Sequence, residues 1–169
     1  MVNLILIERI LTDIRSHVKD LADATDITWE IYKIDKRSRR FVERTLHVLI
    51  EACIDVAQHI IADENLREPV SYRDTFTILA EKDILQSSDL ERFESMASFR
   101  NLLVHYYERV DDEIVYGIFK QNLSDFDLFV ERIVKYLERI GESKRDKTLN
   151  GEPCRRSRLK RSGSGEPVN

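Results

Sequence analysis

The chain contains few of the residues that interrupt helices. It has only five glycines and three prolines in 169 positions. That scarcity predicts long helices rather than short strands joined by turns. Cysteine is just as rare. Cys53 stands in the apolar run 48–54 and Cys154 in a polar stretch near the end. This pattern argues against a disulfide framework and a cysteine-based metal site, and it fits a reducing cytoplasm. No Asp, His or Cys cluster has metal-ligand spacing, and no apolar run approaches the length of a membrane span. Glu8 and Arg9 interrupt the first apolar stretch, against a secretory leader. The expectation is a cytoplasmic protein without membrane contact, metal or cofactor.

Charge, by contrast, is abundant at 34% of residues, and it is unevenly placed. Residues 144–161 carry eight basic and two acidic side chains, a net +6, whereas residues 1–143 sum to −9. An acidic body repels a polyanion unless the ligand meets a local basic patch. Lys36, Arg37, Arg39 and Arg40 form the one dense basic cluster ahead of the tail. Such a run is usually a solvated face; it is also the natural phosphate-binding candidate.

Apolar spacing organises the rest. Val2 to about Ala22 has a single apolar face at helical spacing. Thr25 or Asp26 is the expected cap of the next segment, and 27–37 is ambiguous. Arg39 to about Ala62 is the clearest helix, with a stripe broad enough for several neighbours. Polar residues ending in Pro69 close it. Ser71 is the expected cap of a helix to Glu81, with Asp74 three residues on. Ser88 is the expected cap of another over 89–108. Asp111-Asp112 marks a break before Glu113–Lys120, and Ser124 is placed to cap a helix to Ile140. Four to six helices with short connections predict an all-α antiparallel bundle over 1–140. From Gly141 the apolar pattern stops, and 141–169 reads as a disordered basic tail.

Helix 89–108 carries the chemistry. Arg100, Asn101, His105 and Tyr107 fall within eight residues of an otherwise apolar segment, where an unpartnered charge is costly. Histidine transfers protons near neutral pH, and arginine's planar fork fits phosphate oxygens. The pair suits RNA cleavage by its own 2′-OH, with His105 moving the proton and Arg100 stabilising the phosphorane. Helical geometry puts Arg100 and Tyr107 about 20° apart, Asn101 and His105 about 40°, and Arg100 and His105 about 140°. Arg100 and His105 share no stripe, so the long arginine stem reaches round or a second copy completes the site. A symmetric dimer pairing these helices achieves the latter. The simpler reading is a structural histidine and an Arg100–Glu94 pair. Leu102, Leu103 and Val104 read as packing residues. Glu51 and Asp55, one turn apart, are either exposed or paired with Arg39 or Arg44, or else they orient Arg100 or His105.

The pattern R-N-x-x-x-H-x-Y at 100–107 resembles the signature of the HEPN superfamily, and most of all its HepT branch. The likeness extends over roughly 36–138. It takes in Arg44, Glu51 to Ala57, His59-Ile60-Ile61, Tyr72, Phe76, Leu79-Ala80-Glu81, Ile84-Leu85 and Met96 to Phe99. Position 106 departs from it with a second tyrosine, and the basic tail has no counterpart. The resemblance implies a HEPN bundle acting as a homodimer with a composite cleft. It further implies a metal-independent endoribonuclease, the toxin of a type VII HEPN/MNT toxin–antitoxin system. Arg100 and His105 would be catalytic, with Asn101, Glu51 and Asp55 supporting them. The implied partner is an MNT-type nucleotidyltransferase that transfers AMP to Tyr107, where added bulk and negative charge compete with RNA phosphate. The rival reading is a non-catalytic dimer that serves as binding subunit of a nucleotidyltransferase. The acidic body favours the rival; the intact Arg/His set favours the nuclease.

Overall fold

The computed structural model describes the backbone of residues 4–105 and 111–149, with side chains for 4–103 and 111–142. Among the described residues there are seven α-helices and no strand. They are α1 (Leu4–Asp23), α2 (Trp29–Ile34), α3 (Lys36–Asp63), α4 (Tyr72–Glu81), α5 (Leu90–His105), α6 (Asp112–Gln121) and α7 (Leu123–Leu149). A 3-10 turn, Ser87–Asp89, leads into α5.

The ambiguous stretch 27–37 resolves into α2 and the start of α3. The cap of α2 is Thr28, neither Thr25 nor Asp26: its hydroxyl accepts from the Ile31 amide at 3.3 Å. Asp35 then starts α3 three residues earlier than expected, accepting from the amides of Arg37 and Ser38. Ser71 caps α4 through the Asp74 amide at 3.1 Å. Ser88 caps nothing. It lies inside the 3-10 turn, which passes directly into α5, and its hydroxyl donates to Asp89. Asp111 caps α6, and Ser124 sits within the first turn of α7 instead of before it. That last helix runs to Leu149 instead of ending at Ile140. The sequence after Gly141 offers no apolar stripe but is rich in good helix formers such as Glu, Lys and Arg, so the helix outlasts its apolar stripe.

Backbone chirality, more than Pro69, ends α3. Asn65 adopts a left-handed φ of 51°, and the Leu66 amide returns to the Ile61 carbonyl at 2.9 Å. Asp83 (φ 54°) does the same for α4, with the Ile84 amide on the Leu79 carbonyl at 2.9 Å. Both are residue types that tolerate this region.

The central element is α3, which touches α1, α2, α4, α5, α6 and α7. Leu46, Leu49, Ile50, Cys53, Ile54, Val56, Ala57 and Ile60 are buried along it. By length and composition α3 is apolar enough to cross a membrane, unlike the expectation for any run of this chain, but more than half of its apolar stretch is buried inside the bundle. That burial accounts for its hydropathy. Phe76 of α4, Phe93 of α5 and Phe129 of α7 meet with ring centroids 5.6–6.0 Å apart and close the core on the other side.

An ionic clamp fixes the entry to α4. The Arg67 guanidinium donates to both Asp74 oxygens at 2.7 Å and to Glu81 at 2.9 and 3.2 Å. Arg67 and the Val70 amide hold the Asp74 carboxyl down at about 2, and Arg67 also lowers that of Glu81. A depressed carboxylate stabilises the fold above its ordinary pKa and loses that contribution as pH falls through the folded value. Wild type is therefore expected to lose thermal stability between pH 4.5 and 2.5, and Arg67→Met to lose less over the same interval. Parallel melting curves with equal slopes would remove the clamp from the acid limb. The effect is modest and shrinks with salt, because Arg67 is exposed.

Candidate active site

In α5, Arg100 follows Phe93, Met96 and Ala97 at helical spacing, and those three are buried. The helix therefore directs a guanidinium toward the bundle interior, leaving its side chain 15% exposed. Two neighbours make this tolerable. Nε donates to Glu51 Oε1 of α3 at 2.5 Å, and the guanidinium carbon lies 4.6 Å from the centroid of the Tyr72 ring of α4. A planar cation held by a carboxylate at one edge and an aromatic face beneath is a geometry lysine cannot reproduce. The bond uses Nε alone. Nη1 and Nη2, the fork that suits phosphate, have no hydrogen-bond partner among the described residues.

Glu51 is shared. Its Oε1 also meets His47 Nε2 at 3.2 Å, and His47 Nδ1 lies 3.5 Å from Arg44 Nη1. The order Arg44, His47, Glu51, Asp55 follows one ridge of α3, because steps of three and four return to the same helical face. These four residues and Arg100 line a groove of about 540 Å³, closed on the far side by Ile10, Asp13 and His17 of α1. Burial and the charge of Glu51 raise the Asp55 carboxyl above its ordinary value.

The site residues expected from sequence separate into three groups. Arg100 and Glu51 are in contact. Asp55 lines the same groove but makes no hydrogen bond or ion pair with Arg100. Asn101 is exposed on α5. The backbone of His105 ends α5, while its side chain, and Tyr107 altogether, lie outside the described residues.

The local pairings expected for these residues are not the ones that form. Glu94 binds Arg73 at 3.1 Å and the Thr77 hydroxyl at 3.0 Å, so it is not the partner of Arg100. Arg39 pairs with Asp112 at 3.4 Å and Arg44 meets His47, so neither serves Glu51 or Asp55. Leu103 packs at 7% exposure, but Leu102 is 43% exposed and is no core residue. One step along a helix turns a side chain by about 100°. The side chain of Val104 lies outside the described residues.

Sequence reasoning missed His47 and the role of the Tyr72 ring. His47 had a signal, four residues before Glu51 and three after Arg44; Tyr72 had none that local spacing reveals. Among the described residues no group of three or more His, Cys, Asp or Glu side chains is placed to hold a metal ion.

The whole arrangement is that of a HEPN-type bundle. A solved structure of a tri-AMPylated HEPN toxin from Shewanella oneidensis, in complex with its MNT antitoxin, superposes with a TM-score of 0.70 at 29% identity, over 76% of this chain and 96% of that one. Residues 7–133 match the Ribonuclease HepT-like family, and the chain belongs to it. The Shewanella oneidensis mRNA nuclease HepT is 36% identical over 83 residues, 49% of this chain. The chain spans 62% of the length of that relative. A tRNA nuclease HepT from Aphanizomenon flos-aquae is 25% identical over 138 residues, covering 82% of this chain and 94% of that protein.

Proposed function

We propose that this chain is the toxin of a type VII HEPN/MNT toxin–antitoxin pair, a metal-independent endoribonuclease working as a homodimer. The observation that carries the reading is the Arg100 guanidinium, anchored through Nε and the Tyr72 ring with both Nη groups left for a phosphate. In the proposed reaction His105 takes the proton of a ribose 2′-OH, whose oxygen attacks the adjacent phosphorus. The bond to the 5′-oxygen breaks, leaving a 2′,3′-cyclic phosphate, and the departing 5′-oxygen takes up the proton that His105 had accepted, directly or through a water, to become a 5′-hydroxyl. Arg100 neutralises the charge that grows on the phosphorane oxygens. Asn101 orients His105 or the phosphate. Glu51 and Asp55 set the electrostatics of the cleft, Glu51 directly through Arg100.

The helical offset between Arg100 and His105 supports a cleft composed from two copies. So does Leu102, an apolar side chain left exposed on the motif helix. Control is assigned to Tyr107 by its spacing in the motif, seven positions after Arg100. A nucleotidyltransferase partner moves AMP from ATP to the Tyr107 hydroxyl, releasing pyrophosphate. A phosphodiester placed there competes with RNA for Arg100. The tri-AMPylated Shewanella toxin supports this arrangement by likeness.

The deciding experiment is cleavage of a mixed RNA pool by purified protein in EDTA, beside His105→Ala. Cutting that survives EDTA and disappears in the variant is the expected result. If mass spectrometry shows the protein free of AMP and it still leaves RNA intact, the nuclease reading fails in favour of a nucleotidyltransferase-binding subunit.

A further inference from the structure

A second groove, of about 1100 Å³, opens beside the Arg100 groove, and Arg44 and His47 line both. Lys36, Arg40 and Arg44 stand four residues apart on α3. Each is therefore about 6 Å from the next along the helix axis, comparable to the spacing of successive phosphates on an extended strand. All three are exposed, and none is in an ion pair among the described residues. Arg39 also lines the groove, but it is committed to Asp112 and to the carbonyls of Tyr32 and Lys33. Arg37 points elsewhere and is not in the lining. Against these cations the groove has two acids, Glu43 and the paired Asp112. Burial and the Asp112 charge push the Glu43 carboxyl above its ordinary range. The groove is thus a cationic strip on a body that is acidic overall. Beside the strip Phe41 stands 40% exposed, an aromatic face without a core role.

We infer that this groove is the track along which a single-stranded RNA approaches the cleavage site. Lys36, Arg40 and Arg44 hold successive phosphates, Phe41 stacks one unpaired base, and the strand is delivered at Arg100. Charge complementarity selects a polyanion. The exposed ring selects unpaired bases, because a duplex hides its base faces. Continuity through Arg44 and His47 sets the direction. The inference rests on the ribonuclease reading.

The test uses full-length His105→Ala protein, so that the probe is not cut, and a fluorescein-labelled single-stranded RNA 12-mer beside a duplex of the same length. Anisotropy is read across a salt series. Adding Lys36→Glu and Arg40→Glu is expected to weaken single-strand binding at least tenfold. The slope of log affinity against log salt should become shallower by about 1.4, or about 0.7 per lost phosphate contact. Phe41→Ala should weaken binding several-fold and leave the slope unchanged. All three side chains are exposed, and circular dichroism checks that the fold persists. Unchanged affinity in the double variant, equal or tighter binding of the duplex, or no RNA binding by the parent protein would each overturn the track. So would a fall from dimer to monomer in sedimentation, which would make the groove a contact between copies. The nuclease reading fails separately: wild type that binds RNA along this strip but never cuts it keeps the track and loses the reaction.

Discussion

Arg100→Ala is expected to lower the turnover of RNA by about 10²–10³-fold, the usual consequence of removing one donor that meets charge only in the transition state. Arg100→Lys should recover little of it. An ammonium on a flexible stem cannot spend one nitrogen on Glu51, lie flat on Tyr72 and still offer a fork to phosphate. The loss should fall mainly on kcat, because the phosphorane gains more from Arg100 than the ground-state diester does. Folding is a separate question, since removing Arg100 leaves Glu51 with His47 as its remaining partner. Thermal melts of both variants therefore accompany the kinetics. An Arg100→Lys protein with wild-type turnover would remove Arg100 from the chemistry and leave it a packing role.

The largest expected effect on stability lies on the same buried stripe of α5, two turns before Arg100. Phe93 has no exposed surface and meets Phe76 and Phe129 at 5.9 and 5.6 Å. Phe93→Ala removes the ring that joins α4, α5 and α7, and it should cost about 3–5 kcal/mol. That is a large fraction of the roughly 5–15 kcal/mol by which domains are stable. Urea unfolding should show the midpoint falling at an unchanged slope. A loss below about 1 kcal/mol would mean that neighbouring side chains collapse into the space and that the cluster is not the joint between these helices.

Much of this architecture is legible in the chain because burial here follows the helical repeat. In α1, Ile7, Leu11, Ile14 and Val18 of the apolar face are buried, and in α3 so is the stripe from Leu46 to Ile61; Ile5 and Phe41, apolar by the same reading, lie exposed, and Val42 takes the core position beside Phe41. Boundaries are less legible, because they depend on single hydrogen bonds. Thr28 and Asp35 cap where their side chains reach a free amide, and no apolar pattern marks that choice. The site divides along the same line. Arg100 stands out as a charge on a buried stripe. Its partner does not, because Glu51 lies 49 positions away and becomes a neighbour only when α3 and α5 pack. The nearer Glu94 looks better in one dimension and is taken by Arg73 in three. Leu102 shows the converse error, in which an apolar residue inside an apolar triplet faces outward.

The ridge of α3 that carries Arg44, His47 and Glu51 belongs to the same rigid rod that braces all six other helices. A hinge at the cleft would have to break the core to open, so the cleft walls on this rod cannot be set ajar by small shifts elsewhere. Silencing such a site calls for occupancy instead of deformation: something has to be put into the cleft, or attached beside it, and later taken away.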